Sequence, residues 1–335
     1  MYESRFGLRE RPFRAVPSTE CYYPATTHEQ ALAQLLQAIK NDEGLLLLTG
    51  EPGTGKTTVC LCLLDRVGKE HTCAFVTHGH FAQPKDMLQA ILYDLSLPYQ
   101  NLAEEELRLL LVDSAAKNYE GGKRTILVLD EAQHLSADLL EELRLLSNLD
   151  GNRGKAIQIV LAAHPSILET LNRPELATFN QRLAVRAHLE PLGVHEASDY
   201  LVHNLRSVSD RAKSIFSDEA IEVLVRGARG IPRLLNRAAQ RALELASVSE
   251  GNEVDVEAAV EALSLLGLAE ELDDGSDPEE LLGSDVNQDL EREPAAPSST
   301  ASWNEKTKKE PVGTAEMNKE ANRARRLFAP PRRPA

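Results

Sequence analysis

Between positions 44 and 164, short apolar runs alternate with longer stretches in which apolar side chains recur every three or four residues. The runs at 45–49, 73–77, 125–129 and 157–163 are the length of buried strands, and the stretches at 57–67, 84–96, 104–118 and 136–149 carry helical periodicity. Strand followed by helix, repeated, predicts a parallel sheet covered by helices on both faces. A helix is predicted over 29–40 from Ala31, Leu32, Leu35, Leu36 and Ile39. From His195 the strand signals stop, and helices are predicted at about 196–208, 217–228, 232–247 and 255–264. Ser217 and Asp255 supply cap chemistry, and Pro232 suits a first helical turn after Gly230. The front of the chain is aromatic, with Tyr2, Phe6, Phe13, Tyr22 and Tyr23 in an extended segment expected to pack onto the fold.

The composition changes at about residue 270. Acidic side chains dominate 270–293, Pro, Ala, Ser and Thr fill 294–302, and Lys and Arg collect in the final stretch. Such a segment cannot bury enough apolar surface to fold, so 270–335 reads as a disordered, acidic-then-basic tail. The expected organisation is an α/β domain over 1–192 that includes the aromatic segment, a helical lid over 193–269, and the tail.

Charge and cysteine content narrow the function classes. The 335 residues carry a net charge of −15, which argues against a generic electrostatic binder of nucleic acid. No apolar stretch reaches the length of a transmembrane helix, and the charged start lacks a signal-peptide core, so a cytoplasmic location is expected. Cys21, Cys60, Cys62 and Cys73 are too sparse for a disulfide framework and fit a reducing compartment.

Two motifs carry chemistry. Gly50, Glu51, Pro52, Gly53, Thr54, Gly55, Lys56 and Thr57 match the phosphate-binding loop G-x-x-x-x-G-K-[ST] in full, between a predicted strand and a predicted helix, with Thr58 opening that helix. The loop's backbone N–H groups and the helix N-terminus would hold phosphate, Lys56 would reach the β- and γ-phosphates of ATP, and Thr57 would hold Mg2+ through its hydroxyl. The run 125–129 ends in Asp130 and Glu131, the form of a core strand delivering two acids to its carboxyl end. Asp130 would hold the metal through water and Glu131 would polarise the attacking water.

With those motifs in place, the chain resembles AAA+ ATPases, and more narrowly the ExeA/GspA family named from the general secretion pathway. The resemblance runs from Tyr2 to about Leu266. It rests on Phe6-Gly-Leu with Pro12-Phe13, the loop at 48–58, the block from Leu129 to Ser136, the block from Leu143 to Leu149, Asn180-Gln-Arg182 and Gly230-Ile-Pro-Arg233. It implies a P-loop αβα sandwich, an all-α lid, and a homo-oligomer with nucleotide at subunit boundaries. Arg233 resembles the lid arginine that reads the γ-phosphate in its own subunit. Arg182 resembles the finger arginine offered to a neighbour's nucleotide, with Arg186 as its rival. Where the family carries Gly-Gln-Pro after the fourth strand, this chain has Ala163-His164-Pro165. Secretion-pathway members typically continue into a membrane helix and a peptidoglycan-binding domain, neither of which is seen here. The resemblance therefore implies an ATPase that assembles or remodels an unidentified protein partner, secretion- or envelope-related; the alternative is a DNA-bound regulatory ATPase resembling transposition helper proteins.

Overall fold

The computed structural model describes residues 2–14, 16–151, 154–249 and 253–269, so the expected tail at 270–335 lies outside the described residues. The elements run in the order α1 (Tyr2–Arg5), α2 (Thr26–Lys40), β1 (Leu45–Gly50), α3 (Lys56–Val67), β2 (Thr72–Val76), α4 (Pro84–Asp94), α5 (Glu104–Glu120), β3 (Thr125–Leu129) and α6 (Ala137–Leu146). After the short antiparallel pair of β4 (Asp150–Gly151) and β5 (Gly154–Lys155) come β6 (Ile157–Ala163), α7 (Ile167–Leu171), α8 (Ala177–Asn180) and β7 (Leu183–Leu189). Helices α9 (Val194–Val208), α10 (Asp218–Gly227), α11 (Pro232–Val248) and α12 (Val256–Leu265) are the last elements among the described residues.

Five parallel strands form one sheet in the order β2-β3-β6-β1-β7. Because side chains alternate across a strand, each apolar run serves two cores. Leu45, Leu47, Leu127, Leu129, Ile159 and Leu161 point to the face covered by α4, α5 and α6. Leu46, Leu48, Ile126, Val128, Val160 and Ala162 point to the face covered by α2 and α3. Burial on both faces is why these strands read as continuous apolar runs rather than as an alternation.

Helices α9 to α12 make a third core, rich in alanine. On α11, Leu235, Ala238, Ala239, Ala242, Leu243 and Ala246 are buried at helical spacing, and the small side chains let neighbouring helices approach closely. The expected caps form: Ser217 Oγ accepts from the Ala220 N–H at 3.1 Å, and Asp255 Oδ1 from the Ala258 N–H at 2.9 Å.

Three features differ from the sequence expectation. The fifth strand, β7, was not predicted, because its exposed Arg186 and His188 break the apolar pattern at the sheet edge. The aromatic segment begins with a turn of helix rather than extended chain. Its side chains Tyr2, Phe6, Leu8 and Phe13 enter the core of the lid helices, with Phe13 edge-on to Phe216 and the Tyr2 hydroxyl donating to Gln240 Oε1 at 3.0 Å. The chain thus crosses the lid before it enters α2. There Glu196 of α9 accepts from both the Thr26 N–H, at 2.8 Å, and the Thr26 hydroxyl, at 2.6 Å, tying the lid to the N-terminus of α2.

Candidate active site

The carboxyl ends of β1, β3 and β6 converge, as expected for a ligand crevice in a parallel sheet. The loop after β1 turns sharply into α3 through Gly53 at φ +89° and Gly55 at φ +106°, backbone that disfavours any residue with a Cβ. A Cβ at Gly53 would also stand 2.7 Å from Arg233 Cβ, so the loop and the start of α11 touch. The Arg233 N–H donates to the Gly53 carbonyl at 3.2 Å, which seats the lid directly on the loop.

Lys56 is buried within this turn, and its ammonium donates to the carbonyls of Gly50 at 2.7 Å and Glu51 at 3.1 Å. Burial lowers its pKa, while the carboxylates of Glu131, Asp130 and Glu51 pull the other way. The Thr57 hydroxyl donates to Asp130 Oδ2 at 2.6 Å, and the Glu131 N–H donates to Asp130 Oδ1 at 2.9 Å. Burial pushes the Asp130 carboxyl above its ordinary pKa despite both hydrogen bonds. A hydroxyl and a carboxylate side by side are hard oxygen donors, the number and kind that Mg2+ takes from protein when phosphate and water fill its other positions. Among the described residues no group of three or more His, Cys, Asp or Glu forms an all-protein metal cage.

Glu131 sits in left-handed backbone at φ +54° with its side chain exposed. Its carboxylate accepts from the Gln133 amide at 2.5 Å, and the Gln133 carbonyl accepts from the His164 N–H at 2.9 Å. The His164 ring approaches Glu51 through Nε2 at 3.2 Å. Its Nδ1 receives the Ser166 backbone N–H, so the network fits the tautomer with the proton on Nε2.

A cleft of about 430 Å³ opens between the loop, the aromatic segment and the lid. Gly53, Gly55, Lys56, Thr57, Thr58, Glu131 and Arg233 all line it, joined by Tyr22, Tyr23 and Arg237. Arg182 and Arg186 are not among its lining residues; both are exposed, Arg182 bonded to Asn148 and Arg186 to Asn180. Sequence reasoning missed His28, Gln133 and Arg237. His28 is buried under the loop, and its Nε2–H donates to the Thr54 carbonyl at 2.7 Å. Nothing local marks His28, since its partner lies 26 residues away. Arg237 was legible as a neighbour of Arg233 one helical turn on.

A family model for an AAA domain matches residues 39–171. The chain is 38% identical over 253 residues to General secretion pathway protein A of Aeromonas hydrophila, an alignment covering 75% of this chain and 46% of that protein. It therefore spans about half the length of that curated relative. Among solved structures it resembles Cdc6p from Pyrobaculum aerophilum, with 21% identity, TM-score 0.59 and coverage of 84% of this chain and 74% of that one. It also resembles the Aeropyrum pernix ORC2 protein in its ADPNP–ADP complexes, with 17% identity, TM-score 0.57 and coverage of 71% and 66%. These two structural likenesses establish a shared fold.

Proposed function

Since the chain belongs to the AAA+ family, in the branch represented by General secretion pathway protein A, we propose that it binds ATP with Mg2+ and hydrolyses it to assemble or remodel a protein partner of the secretion or envelope machinery. The observation that carries this reading is convergence: the phosphate loop, the Thr57–Asp130 pair, Glu131 and Arg233 meet at one cleft although they come from three separate stretches of chain. Their chemistry is complementary to a nucleoside triphosphate with its metal ion.

The backbone from Gly50 to Thr58 cradles the phosphates at the N-terminus of α3, and the Lys56 ammonium neutralises charge on the β- and γ-groups. Thr57 directly and Asp130 through water would hold the metal ion, which would offset phosphate charge. Glu131 takes a proton from water as its oxygen attacks the γ-phosphorus. The bond to the β,γ-bridging oxygen breaks, leaving ADP and inorganic phosphate. Arg233 reads the γ-phosphate from the lid of the same subunit. Arg182, exposed and away from its own cleft, serves the nucleotide of a neighbouring subunit in a homo-oligomer. Four free thiols support placing the chain in the cytoplasm, and among the described residues no helix is long and apolar enough to cross a membrane.

Two variants test the reading together. Lys56→Ala should lose ATP affinity and turnover, since a methyl group cannot replace a cation at the phosphates. Glu131→Gln should retain ATP affinity and lose turnover by about a hundredfold or more, the usual worth of a positioned base. Wild-type affinity in the first variant or wild-type turnover in the second would overturn it. Duplex DNA added to the wild-type assay separates the DNA-bound alternative, which requires strong, salt-sensitive stimulation.

A further inference from the structure

Glu131 must present one carboxylate oxygen to water, yet its side chain is exposed and has three rotatable bonds. Its backbone is well held. The Glu131 N–H is bound to Asp130, its carbonyl accepts from the His134 N–H at 3.1 Å, and Gly79 packs so closely that a Cβ there would stand 2.3 Å from the Glu131 carbonyl. None of these contacts orients the carboxylate. Among the described residues, the side chain hydrogen-bonded to the carboxylate is that of Gln133, which donates its amide to Glu131 Oε2 at 2.5 Å and accepts the His164 N–H at 2.9 Å through its carbonyl.

We propose that Gln133 is the positioning residue for Glu131, a two-ended clamp that fastens the carboxylate to the carboxyl end of β6. The assignment rests on Glu131 being the group that takes the proton from water. A primary amide suits this place because it carries a donor and an acceptor on one planar group, and the two partners, a carboxylate and a backbone N–H, need one of each. An amide donor at a carboxylate makes a strong, short hydrogen bond without supplying a proton of its own, so it orients the base and leaves it a base. The His164 ring extends the connection to Glu51 at 3.2 Å, so the loops after β1, β3 and β6 are linked through Gln133.

The two ends of the clamp can be separated by substitution. Gln133→Ala removes both bonds; Gln133→Glu keeps an oxygen for the His164 N–H but sets a second carboxylate against Glu131. In the full-length protein, steady-state ATP hydrolysis and titration with a fluorescent ATP analogue are measured for each variant beside wild type and Glu131→Gln. With Gln133→Ala, kcat should fall about ten- to hundredfold, the cost of a base displaced by about 1 Å, while KM and analogue affinity stay within about twofold. Gln133→Glu should be no faster than Gln133→Ala. If Gln133→Glu restores wild-type kcat, the residue only supports the His164 strand end and the proposal fails. It fails equally if Gln133→Ala turns over normally, or loses affinity as much as kcat. Should Glu131→Gln itself hydrolyse ATP at the wild-type rate, the assignment of the base falls first and takes the clamp with it.

Discussion

His28 holds the phosphate loop from below: its Nε2–H donates to the Thr54 carbonyl, and its ring fills the space where a side chain at Gly55 would stand, 2.8 Å from Nε2. Burial depresses the His28 pKa below the usual 6.5, more than the Thr54 hydrogen bond and the carboxylates of Glu196 and Glu29 raise it. In the unfolded chain this histidine protonates near 6.5, and in the folded protein only at lower pH. As pH falls below about 6.5 the unfolded state takes up the proton first, so stability drops. The contribution is whole above that value and gone below the depressed one. His28→Gln keeps a donor for Thr54 and does not titrate, so its melting temperature should fall less between about pH 7 and pH 5.5 than that of wild type. Equal slopes in the two proteins would assign the acid sensitivity to other groups.

The turn between α10 and α11 decides where the lid meets the loop. Arg229 and Gly230 both have positive φ, 48° and 65°, and the Gly230 carbonyl accepts from the Leu192 N–H at 2.9 Å. A Cβ at Gly230 would lie 2.0 Å from the Leu192 carbonyl oxygen, a backbone atom that cannot rotate away. Pro232 then starts α11 and brings Arg233 onto Gly53. Gly230→Ala combines left-handed strain with a backbone clash, against which the smaller unfolded-state entropy of alanine offsets only about 1 kcal/mol. The expected net loss is about 2 kcal/mol or more, read as a lower urea midpoint, with weaker nucleotide binding because Arg233 is displaced. A variant with an unchanged midpoint would mean that the turn relaxes without cost.

Over the whole molecule, the candidate site arginines divide into two sets. Arg233 and Arg237 line the cleft together with Arg14, whereas Arg182 and Arg186 stand outside it. If a neighbour's Arg182 completes each site, Arg182→Ala and Lys56→Ala proteins are each inactive, but their mixture is not. At equal amounts about a quarter of head-to-tail interfaces pair an intact loop with an intact finger, so activity should return to roughly that share of wild type in the cooperative-free limit. Turnover per chain should also rise with protein concentration. A mixture as inactive as its components would place the whole site in one chain.

The phosphate loop and Asp130-Glu131 were legible because each is a contiguous motif whose strand context is itself a local apolar run. The same locality made most strands and helices readable within a few residues, including the caps at Ser217 and Asp255. What only the tertiary structure decided is pairing across the chain. Strand β7 takes its place because β1 offers it an edge; its Leu183, Val185, Ala187 and Leu189 alternate with exposed Ala184, Arg186 and His188, the local pattern of a half-buried strand and not of a continuous apolar run. The aromatic segment belongs to the lid core because Phe216 and α11 lie beside it. His28 meets its partner 26 residues away and Gln133 joins the neighbouring Glu131 to His164, 31 residues away, and a single polar side chain carries no periodicity from which such a distant partner can be inferred. Local sequence determined which residues could do chemistry; chain folding over long separations decided which of them hold the others in place.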